Sequence, residues 1–244
     1  MTNSPAKFVT SRPALVLCGD SLLQHSTVPG GLTTLLADEY SRKADVIVRG
    51  YSGYNTNHYI DLVKRHQAND AWKFQGLMIL WLGANDAAKP ALVKPDQHVP
   101  LDQYASNLVR IINSISEGSK NPVVLITPPP VDDLAYDLHC KSLPKPTLRF
   151  LEVTRQYAEA VRKVGQRNNI PVVDVFNAML SCDNWRDFLS DGLHLTELGY
   201  RKVFELLMET IRTNLPEWDA NRLLLDAPIW QEAECWESAN PNFT

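Results

Sequence analysis

Five short apolar runs punctuate the chain: Ala14–Cys18, Val46–Val48, Leu77–Leu82, Val123–Ile126 and Ile170–Val175. They are rich in Val, Ile and Leu, and none alternates with polar positions. Runs of this kind predict strands buried on both faces, as in a parallel sheet. The stretches between them carry helical spacing. Over Leu101–Ser116, residues Tyr104, Leu108, Ile111, Ile112 and Ile115 fall on one face. Over Glu197–Thr213, Tyr200, Phe204, Leu207 and Ile211 do the same. Strands alternating with helices predict a doubly wound α/β sheet covered by helices on both faces. No repeat or low-complexity linker interrupts the alternation, so residues 1–244 read as one domain.

Two segments break the rhythm. Ala87–Pro100 follows the third strand, and the proline-rich Pro128–Pro146 follows the fourth. In such sheets ligands bind beyond the carboxyl ends of the strands, which is where both segments begin. Residues 215–244 form an extension after the last helix and hold Trp218, Trp230 and Trp236.

Composition narrows the functional classes. With 24 Lys plus Arg against 28 Asp plus Glu, the net charge is −4 and no basic run is present, which argues against a nucleic-acid partner. A hydrophobic share of 44% is ordinary for a globular chain and excludes wholesale disorder. Cys18, Cys140, Cys182 and Cys235 form no C-x-x-C pair and are too scattered for a disulfide scaffold. Met1–Pro13 lacks the apolar core of a signal peptide. The longest apolar run falls far short of the ~20 residues that span a bilayer, so no stable membrane insertion is expected. These features together predict a soluble, cytoplasmic protein.

Four short motifs could carry chemistry. The first strand runs into Gly19-Asp20-Ser21-Leu22, which puts a hydroxyl at the ligand edge of the sheet; Asp and Ser there equally suit a plain turn or helix cap. Asp191-Gly192-Leu193-His194 precedes the last helix, with Thr196 as its cap and Gly199 in its first turn. A serine nucleophile needs an adjacent base, and histidine, with an ordinary pKa near ~6.5, suits. The imidazole in turn needs a carboxylate to hold its tautomer, and Asp191 stands three positions away. Taken alone, the pair also fits a helix-entry loop with a surface histidine. Gly53, after the second strand, can present a backbone N–H, and Asn85, after the third, a side-chain amide. Acyl transfer needs such donors for its oxyanion, although a β-turn and an Asx-turn account for each motif singly. Four motifs, each at a strand end or helix start, are harder to attribute to turns.

In that order and spacing the blocks resemble the GDSL, or SGNH, hydrolase family over residues 15–200. The resemblance implies a flavodoxin-like three-layer α/β/α sandwich with a five-stranded parallel sheet. It implies that Ser21 is the nucleophile, His194 the base and Asp191 the residue orienting it. Ser21, Gly53 and Asn85 would form the oxyanion hole. Residues 49–56, 83–87, 97–101 and 191–195 are similar to the isoamyl acetate-hydrolysing esterase branch, which implies a serine esterase of short-chain alkyl esters such as acetates. A lysophospholipase, thioesterase or carbohydrate deacetylase shares the same site, and a non-catalytic binding protein would have lost one of its residues.

No cofactor and no metal is expected, because His25, His58, His66, His98 and His139 show no ligand spacing; His98 and His139 lie in the segments that flank the site. Asp20 reads as a local hydrogen-bonding residue and Cys18 as a buried apolar one. The partner expected is a small ester. The apolar residues of 215–244 must cover either their own domain or a second subunit, and a homodimer through this tail is the expectation.

Overall fold

The run at Ala14 forms strand β1 (Ala14–Gly19), every residue of which is buried. It lies between β2 (Asp45–Gly50) and β3 (Gly76–Trp81) in a five-stranded parallel sheet completed by β4 (Val123–Ile126) and β5 (Val172–Val173), in the order β2-β1-β3-β4-β5. The computed structural model describes residues 9, 11–67, 75–90, 97–116, 121–141 and 148–230.

Strand side chains alternate between faces, and the two faces feed two cores. Leu15, Leu17, Leu77, Ile79, Val124 and Ile126 point to one side. There they meet helices α1 (Ser21–Gln24), α2 (Leu32–Glu39), α7 (Val175–Leu180) and α8 (Glu197–Asn214) through residues such as Leu36, Met179, Val203 and Leu207. Val16, Cys18, Met78, Leu80 and Leu125 point to the other. They pack on α3 (Thr56–Gln67), α4 (Leu101–Ser116) and α6 (Leu151–Asn168) through Tyr59, Leu108, Ile111 and Val161. The result is the expected three-layer α/β/α sandwich. Trp81, wholly buried, keeps its indole N–H satisfied by donating to the Thr127 carbonyl at 3.0 Å.

Three elements depart from the sequence reading. Strand β2 is half-buried rather than enclosed, because it forms an edge of the sheet. The run Ile170–Val175 pairs only at Val172 and Val173. Pro171 has no N–H for the ladder, and the Asp174 side chain accepts from Asn177 N, which turns Val175 into the first residue of α7. Within Pro128–Pro146 lies a helix, α5 (Asp133–Lys141), which buries Tyr136 and Cys140 and leaves Leu134 and Leu138 exposed.

The described part of the extension packs on its own chain. Ala220 is buried, and Trp218 and Leu223 lie against the α2/α8 core. The Tyr40 hydroxyl donates to Trp218 O at 2.9 Å, and Arg42 Nη2 donates to the carbonyls of Ala227 and Pro228. Trp230 is exposed, and Trp236 lies outside the described residues. No helix among the described residues is long and apolar enough to cross a membrane.

The strand order reverses direction between β1 and β3, and their carboxyl ends open the crevice where ligands sit in this topology. Ser21 follows β1 and Asn85 follows β3.

Candidate active site

Ser21 is buried and is the first residue of α1, immediately after the Asp20 cap. Asp20 makes the turn: its Oδ1 accepts from Leu22 N at 3.0 Å, and its carbonyl accepts from Leu23 N and Gln24 N. The opposing wall is the loop between residues 189 and 195. Leu189 and Leu195 form an antiparallel bridge, and Ser190 N donates to His194 O at 2.7 Å. The hairpin turns at Gly192, whose φ of +93° favours glycine. A Cβ there would lie 2.5 Å from Tyr136 N on α5. Thr196 accepts from Gly199 N and caps α8, as expected.

This loop divides the two oxygens of Asp191. Oδ1 accepts the backbone N–H groups of Leu193 (2.9 Å) and His194 (2.8 Å), while Oδ2 lies 2.6 Å from His194 Nδ1. The other ring nitrogen, Nε2, lies 2.9 Å from Ser21 Oγ. With Nδ1–H donated to the carboxylate, Nε2 is left to accept the serine hydroxyl. Burial alone would raise the Asp191 carboxyl; the ring, the two backbone N–H donors and the charge of His194 outweigh it and hold the group well below the usual carboxylate range.

Two further histidines adjoin this chain. The His25 ring lies 5.2 Å from the His194 ring, tilted by 44°. Partial burial and the neighbouring His194 lower its pKa. His139 Nε2, on α5, stands 3.7 Å from Asp191 Oδ2. His98, by contrast, is tied to Ala88 O at 2.8 Å.

The second and third motifs meet in one hydrogen-bonded cluster. Gly53 lies in a tight loop after β2 with φ +79°. Tyr51 N donates to Gly19 O, and Ser52 N donates to Gln24 Oε1, so this loop is tied to the end of β1 and to the last residue of α1. Asn85 is buried and donates through Nδ2 to Tyr54 O at 2.9 Å. Its Oδ1 accepts from Arg149 Nη2 at 2.7 Å, and the same Nη2 reaches Gln97 Oε1 at 3.0 Å. Gln97 Nε2 then donates to Gly53 O at 3.0 Å. Arg149 is only 3% exposed and had no motif to mark it in the sequence; Gln97 was visible only as part of a family-like segment.

Two buried acids lie behind the cluster. Burial pushes the Asp20 carboxyl up to about 6, against the pull of the Leu22 N–H, His194 and Arg149. Asp86 rises to about 7, again chiefly by burial, although Thr56 N and Thr56 Oγ1 donate to its Oδ1. The Cys18 thiol is raised to about 12 by burial, in keeping with an inert apolar filler. Among the described residues, no three His, Cys, Asp or Glu side chains gather as a metal site.

A serine hydroxyl on an imidazole that is itself held by a carboxylate can lose its proton as it attacks an acyl carbon. Residues 17–202 match the GDSL-like Lipase/Acylhydrolase family. A GDSL esterase/lipase of Arabidopsis thaliana is 35% identical over 208 residues, covering 82% of this chain and 86% of that one. The human isoamyl acetate-hydrolyzing esterase 1 homolog is 34% identical over 223 residues, covering 90% and 88%. Among solved structures, the lipase/acylhydrolase from Enterococcus faecalis superposes with a TM-score of 0.65 at 24% identity, covering 82% of this chain and 96% of that one. With the family matched over most of its length and the relatives aligned nearly end to end, the chain belongs to the GDSL-like lipase/acylhydrolase family of hydrolases.

Proposed function

We propose that this protein is a serine carboxylic-ester hydrolase of short-chain alkyl esters, acetate esters of the isoamyl acetate type among them. The observation that carries the reading is the unbroken chain from Ser21 Oγ through His194 to Asp191, at 2.9 and 2.6 Å. Ser21 Oγ attacks the acyl carbon while its proton passes to His194 Nε2. Asp191 stabilises the imidazolium that forms. The tetrahedral intermediate collapses as His194 returns the proton to the departing alcohol. Water, activated by the same imidazole, then hydrolyses the acyl-serine and restores the hydroxyl. These steps call on no metal or cofactor.

The oxyanion falls to the N–H of Ser21, the N–H of Gly53 and Asn85 Nδ2. Asp20 engages the N–H groups of Leu22, Leu23 and Gln24, which leaves that of Ser21. Asn85 directs one amide hydrogen to Tyr54 O, which leaves the second for substrate.

The acetate preference is supported by the human relative named an isoamyl acetate-hydrolyzing esterase homolog. A panel of esters of rising acyl length, with isoamyl acetate included, tests it. The reading expects kcat/KM to peak at the shortest acyl groups; a peak at long acyl chains or lysophospholipids would replace it with another hydrolase on the same site. We read residues 1–244 as one catalytic domain, with 215–244 as its extension. The buried thiols of Cys18 and Cys140 suit a reducing cytoplasm. The homodimer now rests on exposed Leu224, Ile229 and Trp230, since Trp218, Ala220 and Leu223 cover their own chain. Light scattering at micromolar concentration tests it, with a monomer as the overturning result.

A further inference from the structure

We propose that Arg149 is the positioning residue of the oxyanion hole, setting the amide of Asn85 directly and the Gly53 peptide through Gln97. The inference rests on the serine-hydrolase reading above. A primary amide is nearly symmetric in shape, so packing alone does not decide which end faces the substrate. A cationic donor does decide. With Arg149 Nη2 on Asn85 Oδ1 at 2.7 Å, the NH₂ end must face away from the guanidinium. The same Nη2 takes Gln97 Oε1 at 3.0 Å, and this aims Gln97 Nε2 at Gly53 O, also at 3.0 Å. One guanidinium nitrogen thus orients both amides: that of Asn85, itself a proposed oxyanion donor, and that of Gln97, which holds the Gly53 carbonyl in the peptide unit next to the one bearing the Gly53 N–H. Gln97 O also accepts from Asn55 Nδ2 at 2.9 Å, which anchors it to the loop after β2.

Among the described residues, the hydrogen bonds of Arg149 go to this cluster. A buried cation is costly unless paired, yet Arg149 makes no salt bridge among the described residues. Among the described residues, its Nε and Nη1 have no hydrogen-bond partner. It also lies 5.4 Å from the Tyr136 ring and within reach of Asp20, Cys140 and Asp86. A charge-assisted bond to Asn85 Oδ1 also polarises the amide and strengthens its N–H as a donor.

The test is a double-mutant cycle on short-ester hydrolysis with Arg149→Lys and Asn85→Ala. Lysine keeps the charge beside the two acids but is a flexible point donor that cannot reproduce the planar fork. Arg149→Lys is expected to lower kcat at least ~10-fold with KM within about twofold, since the donors matter only once charge develops. In the Asn85→Ala background the same change is expected to cost at most about threefold, the part owed to the Gly53 branch through Gln97, because its Asn85 target is gone. A merely structural loss would lower kcat by the same factor in both backgrounds, and that result, or an unchanged kcat in Arg149→Lys, overturns the proposal. If Arg149→Lys does not fold, Gln97→Leu is the second variant. It removes the Gly53 branch without a change of charge and is expected to lower kcat at constant KM; an unchanged kcat rejects the relay. Ser21→Ala assayed alongside separates the two levels: retained hydrolysis there defeats the serine mechanism itself, whatever Arg149 does.

Discussion

Each polar side chain at the site has its two ends assigned to different tasks. Asp191 gives one oxygen to the backbone of its own loop and the other to His194. Asn85 holds Tyr54 O and Arg149 with opposite ends of its amide. If Asn85 serves the oxyanion, Asn85→Ala lowers kcat by about 10²–10³ with little change in KM; steady-state kinetics decide, and a raised KM at constant kcat would make it a ground-state binding residue. The residues proposed to react stand out in the sequence because each lies beside a feature with a local signature. Ser21 and Asn85 directly follow apolar runs, and Asp191 stands three positions before His194. Arg149 had no such marker. Its partners are 64 and 52 positions away, and nothing in one-dimensional spacing reports a contact made only by the fold. His25 stayed hidden for the same reason, whereas His139 lies in a segment that the sequence already placed beside the site.

The elements were legible where burial is uniform and blurred where it is not. Helix α4 spans the range that its apolar stripe predicts, because all five stripe positions, Tyr104, Leu108, Ile111, Ile112 and Ile115, are buried. Strand β2 carries an apolar run like the others, and only the topology makes it an edge. Helix α5 went unread because Leu134 and Leu138 face solvent, which erases the stripe. Yet α5 shapes the site: Asp132, just before it, donates through N to Gly192 O at 2.8 Å, and Tyr136 N closes on Gly192 from the other side. Gly192→Ala is therefore expected to destabilise the protein by at least about 1 kcal/mol, through strain at positive φ and the missing space for a Cβ. It should also lower kcat by displacing Asp191 and His194. Urea unfolding and kinetics on the purified variant check both; an unchanged midpoint would show that the turn tolerates a side chain.

At the scale of the molecule, the sheet brings together residues from opposite ends of the chain, Ser21 and His194 being 173 positions apart. The architecture was readable from the alternation of runs, whereas the tail left two readings open, cover of its own domain or of a second subunit, and its described part covers its own domain. Packing acids behind the site has a pH signature. The folded value of Asp86, about 7, lies above the ordinary value, so the fold favours its protonated form. The stability from this group is fully present below pH ~4 and is lost as pH rises through about 7. Asp20, raised to about 6, acts in the same sense. Asp191, held low, acts oppositely: its contribution is present above pH ~4 and fades as pH falls further. Asp86→Asn keeps an acceptor for Thr56 and removes the ionisation. Its melting temperature relative to the unaltered protein is expected to rise between pH 5 and pH 8, and an equal difference at both would contradict the assignment. The central claim, a nucleophilic Ser21 activated by His194, is tested most directly by intact-mass and peptide mapping after treatment with an organophosphate. The account predicts one covalent adduct, on Ser21, absent from Ser21→Ala and strongly slowed in His194→Ala, with ester hydrolysis lost by about 10⁶ in either variant. An adduct on another residue, or Ser21→Ala retaining more than a few per cent of activity, would contradict it.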